Sequence, residues 1–164
     1  MGRYLLIAAL VLALGGGVQA AENGLLFHAG FEGSTEAFSL SGAGKPVAVE
    51  GPQATFQPGK VGQALLCGAE LTLLKYRTEG NLVPQAGSVS LWVKPLNWGE
   101  DGNFHSFFES GSDGGKSGWY ILYKYFENNW LLLRYQNEKK QLGMAKYVAQ
   151  WKPGEWHHLA GTWC

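Results

Sequence analysis

The sequence predicts an all-β protein, and three of its segments carry that reading. Ser88-Val89-Ser90-Leu91-Trp92-Val93-Lys94-Pro95 alternates with a period of two. Val89, Leu91 and Val93 therefore face one side of a strand and Ser90, Trp92 and Lys94 the other. Residues 119–137 read as a hairpin turning at Asn128-Asn129, because Asn tolerates left-handed torsions. Finally, the turn Lys152-Pro153-Gly154-Glu155 delivers the chain into the aromatic-rich strand Trp156 to Trp163. There, Pro presets the first torsion and Gly accepts a positive one. No window shows sustained helical periodicity.

The elements follow in order. Arg3 precedes the apolar run Leu5 to Leu14, then Gly15-Gly16-Gly17 and Val18-Gln19-Ala20, with small residues at the −3 and −1 positions. This is the pattern of a cleaved secretory signal over residues 1–20, with an apolar core too short to span a bilayer. A mature domain is expected over residues 21–164, exported to the periplasm, cell surface or medium. No Cys stands directly after the cleavage region, which speaks against a lipid anchor.

Within that domain, strands are predicted at Leu25 to Phe31, Pro46 to Glu50, Ala54 to Phe56, Gln63 to Cys67, Leu71 to Leu74 and Ser88 to Lys94. Pro95 ends the last of these because it cannot donate to a ladder. The hairpin register expected from an Asn128-Asn129 turn pairs Tyr125 with Leu132 and Tyr123 with Arg134. One face then carries Trp119, Tyr123, Tyr125, Trp130 and Arg134. The other carries Leu122, Phe126, Leu131, Leu133 and Tyr135 and is the expected core side. A slip of one residue would exchange the faces.

Composition narrows the function classes. Formal net charge is zero, and no basic cluster exceeds Lys139-Lys140, which excludes the electrostatic footprint of a nucleic-acid binder. Aromatics make up 13% and charged residues 16%, which suits short strands with ring-bearing faces. Cys67 and Cys164 are the two cysteines. They form one possible disulfide in an oxidising compartment, although Cys67, within an apolar strand, reads first as a small buried hydrophobe.

Four segments in order carry a family resemblance. They are Phe31-Glu32-Gly33-Ser34; Phe56-Gln57-Pro58-Gly59-Lys60-Val61-Gly62-Gln63-Ala64-Leu65; Gly87 to Pro95; and Trp156-His157-His158-Leu159-Ala160-Gly161-Thr162-Trp163. Together they resemble the laminin G-like jelly-roll domains of the concanavalin A-like lectin/glucanase superfamily. The resemblance spans essentially all of the expected mature chain and implies a two-sheet antiparallel sandwich. In such domains the segment resembling Trp156 to Trp163 is followed by a hairpin and closing strands, so the sandwich is expected to be incomplete at its C-terminus.

The glucanases of that superfamily place carboxylates alternately along one strand, as nucleophile and acid at a fixed separation. No such run is present. Glu100-Asp101 are adjacent, and Glu109 and Asp113 border a Gly-rich loop, so all read as turn carboxylates. His157 and His158 are strand neighbours that point to opposite faces and cannot share an ion. His28 and His105 read as isolated. The resemblance implies one Ca²⁺, with Glu32 as its acidic ligand. The ring-bearing surface of Trp98, Trp119, Tyr123, Tyr125, Trp130 and Arg134 suits stacking on sugar C–H faces, although the same rings equally suit sandwich filling. The expectation is a secreted, non-catalytic recognition module for carbohydrate or a cell-surface partner. The alternative is a fragment of a glycan-active enzyme whose catalytic residues lie outside this chain.

Overall fold

The structure is a computed structural model that describes residues 4–14, 24–68, 70–99, 101–111, 119–125, 129–136, 139, 141–147 and 151–164, with backbone alone at 4–14, 119 and 145–147. Thirteen strands and no helix occur among the described residues. In chain order, β1 is Tyr4–Leu14, β2 Leu25–Ala29, β3 Phe38–Ser39, β4 Ala48–Glu50 and β5 Thr55–Pro58. They are followed by β6 Gln63–Gly68, β7 Leu73–Lys75, β8 Gly87–Pro95 and β9 His105–Ser110. The last four are β10 Trp119–Lys124, β11 Trp130–Gln136, β12 Gln141–Tyr147 and β13 His157–Trp163. The all-β expectation holds throughout.

The chain divides into two compact units, one of Met1–Asn97 with Gly154–Cys164 and one of Trp98–Pro153. The first holds a seven-stranded sheet ordered β13-β8-β1-β2-β3, with β6 pairing both β1 and β5, and a separate β4-β7 pair. Every pairing is antiparallel. Its core is the predicted face of β8: Val89, Leu91 and Val93 are buried together with Phe27, Ala29 and Leu159. Each such side chain contributes roughly 1.5–3 kcal/mol by leaving water. The Pro153-Gly154 turn forms as expected. Gly154 takes φ 87° and donates its N–H to the Pro95 carbonyl at 2.7 Å.

Strand β1, Tyr4–Leu14, contains the apolar run Leu5 to Leu14 of the expected leader and lies at the centre of this sheet. Its backbone pairs with β8 from Leu5↔Pro95 to Leu14↔Gly87, and with β2 and β6 on its other side. An uninterrupted apolar run satisfies a strand covered on both faces as well as it satisfies a leader.

The second unit is a four-stranded antiparallel sheet ordered β12-β11-β10-β9. Its central hairpin differs from the expected register by two residues. Tyr123 pairs with Leu132, and the Tyr125 N–H donates to the Trp130 carbonyl at 2.8 Å. The last described pair is thus Tyr125 with Trp130, where the expected register put Leu132 opposite Tyr125. Asn129 takes the expected positive φ of 52°, while Phe126 and Asn128 lie outside the described residues. A shift of two preserves strand parity, so the two predicted faces keep their members. Strands β3, β9 and β12 were not anticipated. Gly143 and the flanking lysines weaken the alternation in β12, and β9 mixes polar with aromatic residues.

Candidate functional site

Parity places Trp119, Tyr123, Tyr125, Trp130 and Arg134 on one face of the β10–β11 ladder. Of Trp119 only the backbone is described. Trp130 is 42% exposed, and Tyr125, directly opposite it, is half-buried. Tyr123 is 4% exposed. Its ring lies between Phe104, at 4.9 Å and 28°, and Tyr125, at 6.4 Å and 73°. Tyr123 thus supports the surface from below instead of presenting a ring to solvent.

Arg134 sits between Ile121 on β10 and Gly143 on β12, with Glu109 beyond Ile121 in the same row. Its Nε is buried and makes no hydrogen bond among the described residues. A Cβ built at Gly143 would meet the Leu133 carbonyl at 3.5 Å and Arg134 Cα and Cβ at 4.0 Å. These are ordinary contacts, so a first side-chain atom at position 143 would meet no clash.

Trp98 belongs elsewhere, which corrects its expected place on the sugar-facing surface. It is 3% exposed and stacked on the His105 ring at 3.6 Å and 8°. Phe107 and Trp151 lie at 6.3 Å. A ring covered in this way has no face left for a ligand. Its partner His105 is not isolated, and Asp101 is not a solvated turn carboxylate. His105 Nε2 lies 3.0 Å from Asp101 Oδ2, and the Lys124 ammonium lies 3.1 Å from Oδ1. Lys124, 1% exposed, also donates to the Asn103 carbonyl at 3.2 Å.

The backbone explains the cluster. The β9–β10 register slips between Leu122 and Tyr123, making Phe107 the extra residue of a bulge and bringing His105 opposite Lys124. Bulges re-aim side chains in this way. Spacing alone could not have revealed it, although Asp101, Asn103 and His105 at alternate positions were a visible signal.

Burial pushes the Asp101 carboxyl up, but hydrogen bonds from His105 and Lys124, the His105 charge and the Asn103 N–H outweigh it and hold the group at about 2. A carboxyl depressed below its ordinary value of 3.8 stabilises the fold above that pH and loses the contribution as pH falls toward 2. Unfolding free energy measured between pH 5 and pH 2 is expected to fall by about 1 kcal/mol more in the parent than in Asp101→Asn, after allowance for solvent screening. Equal slopes would show that the carboxyl does not carry this dependence.

Two further predicted positions lie in the first unit. Glu32 Oε2 accepts the Gln63 N–H at 2.9 Å. A Cβ at Gly62, φ 58°, would fall on the same carboxylate. Glu32 thus closes the turn before β6, a role that needs no ion. Among the described residues no group of three or more His, Cys, Asp or Glu is placed to hold a metal, so the calcium expectation rests on the resemblance alone.

On β8 and β13, Ser90 Oγ lies 2.7 Å from Nε2 of exposed His158. His157 faces the other side, as expected, and burial lowers its pKa against a smaller opposing effect of Glu155. Cys67 and Cys164 form no disulfide in the structure, and burial pushes the Cys67 thiol up to about 12. The packed-thiol reading therefore holds over the bridge.

Comparison with protein families matches residues 74–164 to Laminin_G_3, the concanavalin A-like lectin/glucanases superfamily. No curated protein and no solved structure matches the chain.

Proposed function

We infer, since the chain belongs to the concanavalin A-like lectin/glucanase superfamily, that it is an exported, non-catalytic recognition module that binds carbohydrate through the β10–β11 face. One observation carries this reading. Trp130 is a large ring left 42% exposed at the end of a ladder whose inner positions are packed. Tyr125 stands opposite it, and Tyr123 and Phe104 hold that neighbour in place. A partly exposed indole stacks on sugar C–H groups at little conformational entropy.

Asp101 is committed to Lys124 and His105. The export half of the proposal rests on the leader pattern of residues 1–20, and a calcium ion at Glu32 is retained only as an implication of family membership.

Glycan-array screening of the full chain is the test. Trp130→Ala is expected to weaken binding of each hit at least tenfold, about 1.4 kcal/mol. Val61→Ala, at an exposed position of the other unit, should leave binding unchanged. Unaltered binding by the Trp130 variant would place the ligand elsewhere.

A further inference from the structure

We propose that the outer edge of β12 takes up an extended segment of a partner protein as a fifth strand of the second unit's sheet. The segment has two apolar residues at alternate positions, with an acidic residue beyond each. This inference goes beyond the sugar reading, since it concerns another surface and a peptide ligand, and either can fail without the other.

The backbone supplies its first ground. Strand β12 ends the four-stranded sheet and, among the described residues, pairs with β11 alone. The outer edge of such a strand presents a row of N–H and C=O groups with which another strand can pair.

The side chains supply the second. Leu142 stands opposite Tyr135 and Met144 opposite Leu133, so both lie on the face away from Trp130 and Arg134. Cover of that face thins from strand to strand. Tyr120 and Leu122 on β10 are 6% and 1% exposed, and Tyr135 and Leu133 on β11 are half-buried. Leu142 and Met144 on β12 are 50% and 72% exposed. The apolar layer therefore reaches the edge strand without being covered there. An added strand that keeps the alternation sets two of its own side chains against this pair.

Charge selects the occupant. Strand β12 contains Lys146 and no Asp or Glu, and Lys139-Lys140 precede it. A second copy fits poorly. In antiparallel self-pairing, the register that sets Leu142 opposite Met144 is centred on Gly143, and it also brings position 140 opposite position 146. Lysine then meets lysine at both ends, and like charges directly opposite are destabilising. Lysines on an edge are an ordinary guard against such self-association. A carboxylate at each of these two places turns both repulsions into attractions, so the same lysines that turn away a copy favour an acidic-ended strand.

The test titrates the full chain into three labelled, end-capped peptides of seven residues and follows fluorescence anisotropy. The first has glutamate at both ends, valine at its third and fifth positions and threonine elsewhere. The second has lysine at both ends instead. The third is the first with its amides N-methylated. Only the first is expected to bind well, with the second weaker by about tenfold, as two reversed cross-strand charge pairs imply. The third loses its ladder and should be weaker still. Met144→Glu, at a largely exposed position, is expected to melt as the parent does and to weaken the first peptide at least tenfold.

Equal binding of the glutamate- and lysine-ended peptides would overturn the charge selection. Binding kept after N-methylation would show that no strand is added, and binding unaltered in Met144→Glu would place the peptide elsewhere; either overturns the inference. So would absence of binding by all three. Sedimentation of the chain as a dimer that Met144→Glu dissociates would give the edge to a second copy and overturn it too. None of these results bears on Trp130 or the sugar reading.

Discussion

A chain that starts at Ala21 is expected to lose cooperative folding of its first unit. The sheet order makes the reason explicit. Among the described residues, strand β1 is the only link between the β13–β8 pair, the β2–β3 pair and the β5–β6 pair. Without it the seven-stranded sheet becomes three two-stranded ribbons, each marginal in water. The lost ladder includes all of Leu5↔Pro95 to Leu14↔Gly87, and net stabilities of domains are only about 5–15 kcal/mol. The effect should therefore be on the order of the whole stability of that unit.

Urea unfolding of chains 1–164 and 21–164, followed by tryptophan fluorescence, measures the effect. The shorter chain should show no sigmoidal transition, and a lysine-flanked peptide of residues 4–14 added in trans should restore one. Identical midpoints and slopes for the two chains would mean that β1 contributes nothing.

The apolar run from which the leader pattern was read also fills the centre of a sheet. Its removal would leave the edges of β8, β2 and β6 open, and open edges pair with other chains.

How far the fold was readable follows from these particulars. Strand β8 was fully legible because its alternation is strict and one face is buried. The β10–β11 faces were legible even though the turn was misplaced, because parity survives an even shift. Strand β1 was not legible as a strand, because an unbroken apolar run carries no period of two. The Asp101–His105–Lys124 cluster was missed for a different reason. It depends on a bulge at Phe107 and on a strand partner more than twenty positions away, and a local window contains neither. Trp98 was misplaced as a consequence, since the residue that covers it is His105.

The cluster yields the second large effect. Asp101→Asn is expected to destabilise the second unit by about 3–5 kcal/mol, because it leaves the ammonium of a nearly inaccessible Lys124 without a counter-charge. Melting should fall by roughly 10 °C. The reverse change is gentler. Lys124→Met replaces the buried cation with an unbranched apolar chain, and Asp101 keeps its bonds to His105 and the Asn103 N–H as well as part of its water. Its loss should be about 1 kcal/mol or less.

The asymmetry comes from burial. The carboxylate side chain is 15% exposed and the ammonium side chain 1%, so only one of the two ions can turn to solvent when its partner is removed. The double variant is the decisive comparison. With the cation gone, Asp101→Asn no longer strands a charge, so Asp101→Asn/Lys124→Met should recover most of the stability lost by Asp101→Asn alone. That corresponds to a coupling of about 2 kcal/mol or more in a double-mutant cycle. Strictly additive losses would show that the two ions do not compensate each other. The interior position of Trp98, stacked on His105, would then owe nothing to the pair.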